Sequence, residues 1–211
     1  MAITELIVPL VKQDEASVAY FNTTFKETVR QTVATASGIK SVSLGKIILH
    51  NNVDVSSELK PMISPEWHDP QSFYAFVTSP EFTKFKQAAM PILLGPPTPQ
   101  LFETDVSATA VFAAPLTEIL QFSVASGDED QAKILWNEFV DVVGKETHGK
   151  VSEFLHGTSL NLEEGLFVGM VAWASLEERK LILGLKVVAE LITRFQALEK
   201  FDCCLVDFQQ Q

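Results

Sequence analysis

The feature that most constrains the fold of this 211-residue chain is a tryptophan motif that occurs twice. The first copy is centred on Trp67 and is followed by two helix starts, at Asp69–Pro70 and Ser79–Pro80. Asp and Ser are preferred at helix N-caps, and Pro is tolerated in the first helical turn. A weaker copy is centred on Trp173, 106 positions later. Because this spacing is half of the chain length, it predicts one folding unit present twice.

Both halves of the sequence contain the same order of predicted elements. Each half has strand-like segments around an amphipathic helix, in which apolar residues recur every three or four positions along one face. In the first half this stripe consists of Val18, Phe21, Phe25, Val29 and Val33. In the second half it consists of Ala132, Leu135, Trp136, Phe139, Val140 and Val143. Each half therefore predicts a β-α-β-β-α-β unit.

Such a unit forms a four-stranded antiparallel sheet with both helices on one face. The other face is apolar and needs a partner, which a second unit in the same chain can provide. The predicted fold class is therefore α+β, with two tandem ferredoxin-like (βαββαβ) units packed sheet to sheet as an intramolecular pseudo-dimeric α+β barrel. The predicted units are residues 1–106 and 107–211, and the alanine-rich stretch Ser107–Pro115 is the predicted linker.

Turn and cap chemistry predicts further local details. The run Glu5–Val11 is a predicted strand, and a single long helix is predicted after Ser175. Pro65 lies in a strand that should be interior, so a bulge or an early end of pairing is expected there, because proline has no N–H. The segment Gly127–Gln131 is a predicted helix cap, and Glu163–Gly165 is a predicted hairpin turn.

Charge and hydropathy argue against several classes of function. The net charge is −11 and the lysines and arginines are scattered, so no binding of nucleic acid or of an anionic membrane is expected. No segment contains the roughly 18 apolar residues that a membrane span needs, and no secretory signal is visible, so we expect a cytoplasmic protein. The adjacent Cys203 and Cys204 are predicted to be reduced, buried and structural.

Histidine is the first candidate for acid–base chemistry, because its side chain titrates near neutral pH. By strand alternation, His50 shares a face with Val42 and Leu44, and is either a pocket base or a structural strand-end residue. His156 is in the same position with respect to a second pocket, and Tyr74 is a candidate hydroxyl donor. No HxxxH or CxxC spacing and no nucleotide-binding or hydrolase motif occurs, so neither a metal nor a cofactor is expected.

The sequence around the first tryptophan resembles the antibiotic biosynthesis monooxygenase (ABM) domain, one of the dimeric α+β barrels. The residues that carry the resemblance are Glu66, Trp67, Phe73, Phe76, Ser79, Pro80, Glu81, Phe82 and Phe85, with Gly38 and Gly45 before them. The second half is similar only through Gly149, Gly157, Trp173 and the helix start that follows. The resemblance is specific for a fold and says little about an activity.

This resemblance implies a mostly apolar pocket between the sheet and the helices of each unit. Family members oxidise, cyclise or rearrange small aromatic or polyketide-like compounds, often without metal or cofactor; others degrade haem, and many have no known activity. The aromatic residues predicted to line such pockets and bind substrate are Trp67, Phe73, Phe76, Trp136 and Trp173.

The sequence departs from the family at the polar positions. Quinone-forming members resemble one another in an Asn four residues before the tryptophan and a Tyr six residues after it. Here Ile63 and Phe73 stand at these places in the first copy, and Gly169 and Arg179 in the second. The chain therefore lacks the usual proton-handling groups at these positions.

Two functions are compatible with these features. The first is an enzyme of specialised metabolism that cyclises, isomerises or oxygenates a small apolar or aromatic, polyketide- or terpenoid-like molecule without a cofactor, with His50, His156 and Tyr74 as the candidate catalytic residues. The second is a non-catalytic ligand-binding or structural barrel. A homodimer formed through exposed sheet edges is a further expectation.

Overall fold

Nine strands form one continuous sheet in the computed structural model of the chain, which describes residues 1–124, 129–161 and 165–209. The strands of the first half are β1 (Ala2–Leu6), β2 (Ile39–His50), β3 (Val53–Asp54), β4 (Pro61–Trp67) and β5 (Gln100–Thr104). Those of the second half are β6 (Leu116–Ser123), β7 (Phe154–Ser159), β8 (Leu166–Trp173) and β9 (Lys200–Gln209). The predicted cap at 127–128 and turn at 163–164 lie outside the described residues.

Eight of these strands close into an antiparallel barrel. The order is β2-β4-β1-β5 in the first unit and β7-β8-β6-β9 in the second, and β5–β7 and β2–β9 pairing joins the units at two seams. Each unit thus has the ferredoxin-like strand order, which confirms the predicted fold class. Among the described strands only the two-residue β3 is left at an edge, so pairing of two chains through sheet edges has no long edge to use.

All described helices except the short one at 109–112 cover the outer faces of the two sheets. Those of the first unit are α1 (Glu15–Tyr20), α2 (Lys26–Thr32), α3 (Pro70–Val77) and α4 (Pro80–Ala89). Those that follow are α5 (Thr109–Phe112), α6 (Glu129–Glu146), α7 (Leu176–Leu183) and α8 (Lys186–Gln196). Three apolar cores result: one between sheet and helices in each unit, and one in the barrel lumen. No helix in the described part of the chain is long and apolar enough to cross a membrane.

Helix capping follows the sequence chemistry in the first unit. The Asp69 side chain accepts a hydrogen bond from the backbone N–H of Ser72 at the start of α3, and Ser79 does the same for Phe82 at the start of α4. The predicted restart at Ser79 is confirmed. Between α1 and α2, residues Phe21–Phe25 form a π-helical turn. Its extra residue keeps side chains spaced exactly four apart on one face, because an α-helix repeats every 3.6 residues.

Glycines mark the two seams at matching places. A Cβ atom on Gly45 of β2 would lie 2.5 Å from Val206 Cγ1 and 2.8 Å from Phe208 Cδ1. On Gly157 of β7, a Cβ atom would lie 2.6 Å from the carbonyl oxygen of Glu103. The strands of the two units approach too closely here for any side chain, which explains why both copies carry glycine.

Two strand predictions need correction. The first strand ends at Leu6 instead of Val11, and Pro9 follows in the loop, since proline cannot donate to a ladder. At Pro65, β4 continues to Trp67, but its registered pairing with β1 lapses between Glu66 and Ile63. There the Ser64 hydroxyl donates to the carbonyl of Glu5 at 2.8 Å, so pairing with β1 is interrupted at Pro65 instead of ending early, and pairing with β2 continues through Val42–Pro65 without a bulge at that point.

The predicted linker is part of the core. Within Ser107–Pro115, helix α5 inserts its buried Val111 and Phe112 into the lumen, where the Phe112 and Phe208 rings lie 4.2 Å apart. The carboxylate of Glu66 accepts hydrogen bonds from the Ser107 hydroxyl and from the backbone N–H just before α5. This segment therefore closes one end of the barrel.

The prediction of one long helix after Ser175 is wrong. The segment forms α7 and α8, separated at Gly184–Leu185, because glycine is a poor helix former and here caps α7. As a result Leu181 of α7 is exposed, whereas Val188 and Phe195 of α8 are buried.

Candidate functional site at the barrel mouth

A β-bulge determines where His50 lies. Along β2, Ile47 pairs with Val206 of β9, but the next pair is Leu49 with Leu205, so Ile48 is an extra residue. Such an insertion reverses the alternation of side chains beyond it. Leu44 packs under the helices, whereas Ile47 and His50 both border the lumen. The predicted common face of His50 with Leu44 is therefore wrong, and the bulge is the reason.

The imidazole of His50 is paired with a carboxylate of the other unit. Its Nε2 lies 2.7 Å from Oδ1 of Asp202 on β9. Because a carboxylate only accepts hydrogen bonds, in the neutral imidazole this contact places the proton on Nε2 and leaves the lone pair of Nδ1 free. The two side chains are 44% and 49% exposed, so the pair is reachable from solvent. The dyad exists only when the β2–β9 seam closes.

Asn51 fixes the dyad from behind. It has a left-handed backbone (φ 48°), and its side-chain amide donates to Asp202 Oδ1 at 3.0 Å. The same side chain accepts from the backbone N–H of Cys203 at 3.0 Å. The turn after His50 is thus tied to the first residues of β9.

The dyad borders a cavity of about 640 Å³ at the end of the barrel opposite α5. Cavities of this size accept drug-sized organic molecules. Its floor consists of lumen residues, namely Leu6, Ile47, Met62, Ile119 and Cys204. Its rim consists of the loops 8–11 and 94–98, in which Val8, Leu10 and Leu94 are exposed apolar side chains. The walls are thus largely apolar, and we call this space the mouth cavity.

Few polar groups reach the mouth cavity. The Gln121 side-chain amide donates to the side-chain oxygen of Gln100. Since β7 and β8 separate β5 from β6 in the sheet, this bond crosses the lumen. Glu58 and Lys60 form an ion pair of 3.1 Å at the rim. Burial raises the pKa of the Cys204 thiol, which therefore stays neutral and un-nucleophilic.

The predicted aromatic residues lie elsewhere. Trp67, Phe73 and Phe76 pack together between sheet and helices of the first unit, and the Trp67 and Phe76 ring centroids are 5.5 Å apart. Trp136 and Trp173 are buried in the corresponding core of the second unit, where the Trp136 ring occupies the space a side chain on Gly169 would need. Both spaces are filled by these rings, and their role in binding substrate stays a prediction.

The other two predicted catalytic residues do not line the mouth cavity. His156 places Nδ1 3.0 Å from Asp105 Oδ2 and stacks its ring on Phe167 at 5.6 Å. Tyr74 is half-exposed on α3 and packs against the edge of Phe73. The structure thus brings none of the three predicted catalytic side chains together, and only His50 reaches the mouth cavity.

Each of the two motif tryptophans, Trp67 and Trp173, binds a buried glutamate that was not predicted from the sequence. Trp67 Nε1 donates to Glu5 Oε2 at 2.8 Å, and Trp173 Nε1 donates to Glu118 Oε2 at 3.0 Å. The two glutamates occupy matching places, each two residues beyond the strand residue paired with the tryptophan. Burial raises the pKa of Glu5 to about 7, an effect that the indole hydrogen bond opposes. The signal in the sequence was a charged residue inside the first strand of each unit, preceded in both by a threonine.

The second glutamate has an additional cation. Arg179 donates through one nitrogen to Glu118 Oε1 at 2.6 Å and to Asn52 Oδ1 of the first unit at 2.8 Å. The Cys203 thiol donates to the same carboxylate at 3.3 Å. Burial opposes the charge on Arg179, but the Glu118 carboxylate raises its pKa on balance. The position six residues after the motif tryptophan is thus Arg179, an ion-pair partner, in the second unit and Phe73 in the first.

A shallower groove of about 430 Å³ lies on the outside of the first unit, between α2 and the pair α3–α4. Its lining is mixed, and it includes Thr35, Ser79 and Lys84 together with one edge of Phe76. It contains no histidine and no buried carboxylate. Among the described residues, no cluster of His, Cys, Asp and Glu side chains has the geometry of a metal site.

The same architecture occurs in solved structures of very different sequence. A candidate monooxygenase from Fusobacterium nucleatum matches with a TM-score of 0.68 at 11% identity, over 99% of this chain and 93% of its own. An anthrone oxidase-like protein matches with a TM-score of 0.65 at 11% identity, over 99% of this chain and 92% of its own. The chain is a tandem dimeric α+β barrel. A mutant chlorite dismutase from Candidatus Nitrospira defluvii has the same barrel, with 0.61 at 12% identity over 99% and 92%.

Sequence comparison adds nothing to this assignment: no family model and no curated protein matches the chain. Identities of this size establish the common fold alone. The fold predicted from the tryptophan motif is thereby confirmed, and any activity of this barrel has to be argued from its own side chains.

Proposed function

We propose that this barrel is a cofactor-independent enzyme for small apolar molecules, with its reaction centre in the mouth cavity. The observation that supports this proposal is the His50–Asp202 dyad, which a β-bulge turns toward an apolar-walled cavity. A histidine oriented by a carboxylate is a general base in many enzymes. The apolar walls favour substrates of the aromatic, polyketide- or terpenoid-like kind.

The reaction we infer begins with proton abstraction next to a carbonyl group. His50 Nδ1 takes the proton, and the electron pair of the C–H bond becomes that of an enolate. Return of the proton to another carbon is an isomerisation, and attack of the enolate on an internal electrophile is a cyclisation. An oxygenation would require molecular oxygen as the oxidant. Asp202 keeps its charge throughout and positions the imidazole.

Deuterium exchange tests this proposal without knowledge of the natural substrate. The probe is 2-tetralone, an apolar bicyclic ketone, incubated with the protein in D2O and followed by ¹H NMR for loss of its α-protons. We expect exchange above the buffer rate, at least tenfold slower in His50→Gln and unchanged in His156→Gln. Exchange at the buffer rate with the wild-type protein, or an undiminished rate in His50→Gln, would contradict the proposed role.

A non-catalytic ligand-binding barrel is the second candidate. It is favoured by the aromatic side chains that fill both spaces between sheet and helices, because these leave no enclosed room there for a substrate. This candidate predicts that 2-tetralone binds in the mouth cavity, seen as a shift of the Met62 methyl resonance, without any exchange above buffer.

A further inference from the structure

We infer that the mouth cavity selects neutral apolar ring compounds that carry a hydroxyl group, such as phenols or enols, and discriminates against carboxylates. The inference rests on the proposed function only in taking the mouth cavity as the ligand site. It concerns recognition and requires no turnover.

The first argument is the direction of hydrogen bonding at His50. In the neutral imidazole the Nε2 proton is used by Asp202 Oδ1 at 2.7 Å, so Nδ1 of this form can only accept. Among the described residues, no group donates to Nδ1. A ligand that satisfies this atom must bring its own donor, and a hydroxyl group is the donor that apolar ring compounds most often carry.

The second argument is the charge around the cavity. Asp202 and Glu58 both line the cavity. Lys60 is the one lysine or arginine among the described lining residues, and it is paired with Glu58 at 3.1 Å. The whole chain has a net charge of −11. An anionic ligand would be repelled by the Asp202 carboxylate beside the His50 imidazole. It would also have no proton to donate to Nδ1, so both effects disfavour its binding.

The third argument is the fixed orientation of the dyad. Asn51 holds Asp202 by a 3.0 Å hydrogen bond to the same oxygen that accepts from His50. Asn51 is itself held by two hydrogen bonds with the backbone of Cys203: its N–H donates to the Cys203 carbonyl, and its side-chain oxygen accepts from the Cys203 N–H. An imidazole whose tautomer is set in advance distinguishes donors from acceptors, whereas a free imidazole can turn and accommodate either.

The test compares three naphthalenes by isothermal titration calorimetry at pH 8. We expect 2-naphthol to bind about tenfold more tightly than 2-methoxynaphthalene, which cannot donate, and 2-naphthoate to bind more weakly than either. Tenfold corresponds to one hydrogen bond of ordinary net strength. Because His50 is half-exposed, His50→Phe should fold normally and should bind the alcohol and the ether equally. Asp202→Asn should reduce the preference to below threefold.

The failure of this inference and that of the proposed site give different results. If the ether or the carboxylate binds in the mouth cavity as tightly as 2-naphthol, with the Met62 methyl resonance shifted by each, the selectivity is refuted and the site is retained. If none of the three shifts Met62, both the site and the selectivity are refuted. An unchanged preference for 2-naphthol in His50→Phe would refute the role of His50 alone.

Discussion

The indole nitrogen of Trp67 donates a 2.8 Å hydrogen bond to a carboxylate oxygen of Glu5, inside the core of the first unit. The tryptophan of the family motif is therefore hydrogen-bonded to a titratable side chain on the neighbouring strand β1. In the second unit Trp173 repeats the contact with Glu118. Glu118 has Arg179 as a counter-charge, whereas the position that matches Arg179 in the first unit, six residues after the tryptophan, is Phe73.

Glu5 should make the protein less stable as the pH rises. Its pKa is about 7 in the folded state against an ordinary value of 4.5, so the unfolded chain releases this proton first. The free energy of unfolding should fall between pH 4.5 and 7 and level off above pH 7. A Glu5→Gln variant has no carboxyl group to titrate here. Its free energy of unfolding should therefore exceed that of the wild type by roughly 3 kcal/mol at pH 8 and should equal it at pH 4. Urea unfolding at both pH values measures this, and a pH-independent difference would contradict it.

The Glu118–Arg179 ion pair should be costly to break from one side. Arg179→Met leaves a carboxylate buried with only the indole and a thiol as donors, and should lower the free energy of unfolding by about 3–5 kcal/mol at pH 7. The double variant Glu118→Gln/Arg179→Met removes both charges and should recover at least half of that loss. A double-mutant cycle in guanidinium chloride measures the coupling, and additive effects of the two changes would be inconsistent with the pair.

The seam should not accept a methyl group at Gly45. Gly45→Ala places a Cβ atom 2.5 Å from Val206 and 3.0 Å from the backbone oxygen of Asp207, so we expect a loss of about 1–3 kcal/mol. The matched control is Gly144→Ala in α6, where no atom lies within 4 Å and helix propensity predicts a gain of about 0.5–1 kcal/mol. Thermal unfolding compares the two, and equal effects of the two changes would mean that the seam is not tightly packed.

Asn51 should control the dyad without touching a ligand. Asn51→Gly keeps the left-handed backbone accessible but removes the hydrogen bonds to Asp202 and to the Cys203 N–H. The ¹⁵N shifts of the His50 ring should then report a mixture of tautomers, whereas the wild type should contain the Nε2–H form. A pure Nε2–H form in the variant would show that Asp202 needs no support from Asn51.

The fold was predictable because its signals are local and repeated. Capping at Asp69 and Ser79 and the two apolar helix stripes follow from nearest-neighbour chemistry. The packing of the 107–115 segment in the barrel lumen was not predictable from the sequence, because a short alanine-rich stretch has the composition of a linker. Only the closed barrel shows that Phe112 contacts Phe208.

The site was predictable only as far as His50. One inserted residue in β2 reverses the face of every side chain after it, and nothing in the composition of Ile47 to Leu49 shows where the bulge lies. Asp202 lies 152 positions away and meets His50 only because the pairing of β2 with β9 closes the barrel. Glu5 was overlooked because a charged residue in a strand is normally read as facing solvent.

The central claim is that a small apolar molecule binds in the mouth cavity beside His50. A crystal structure of the protein soaked with 2-naphthol tests this claim most directly. We predict density for the ring above Met62 and Ile119, with the hydroxyl oxygen within hydrogen-bond distance of Nδ1 of His50. Density between sheet and helices beside Trp67 or Trp173, with the mouth cavity empty, would contradict the account and would return the site to the aromatic residues of the original motif.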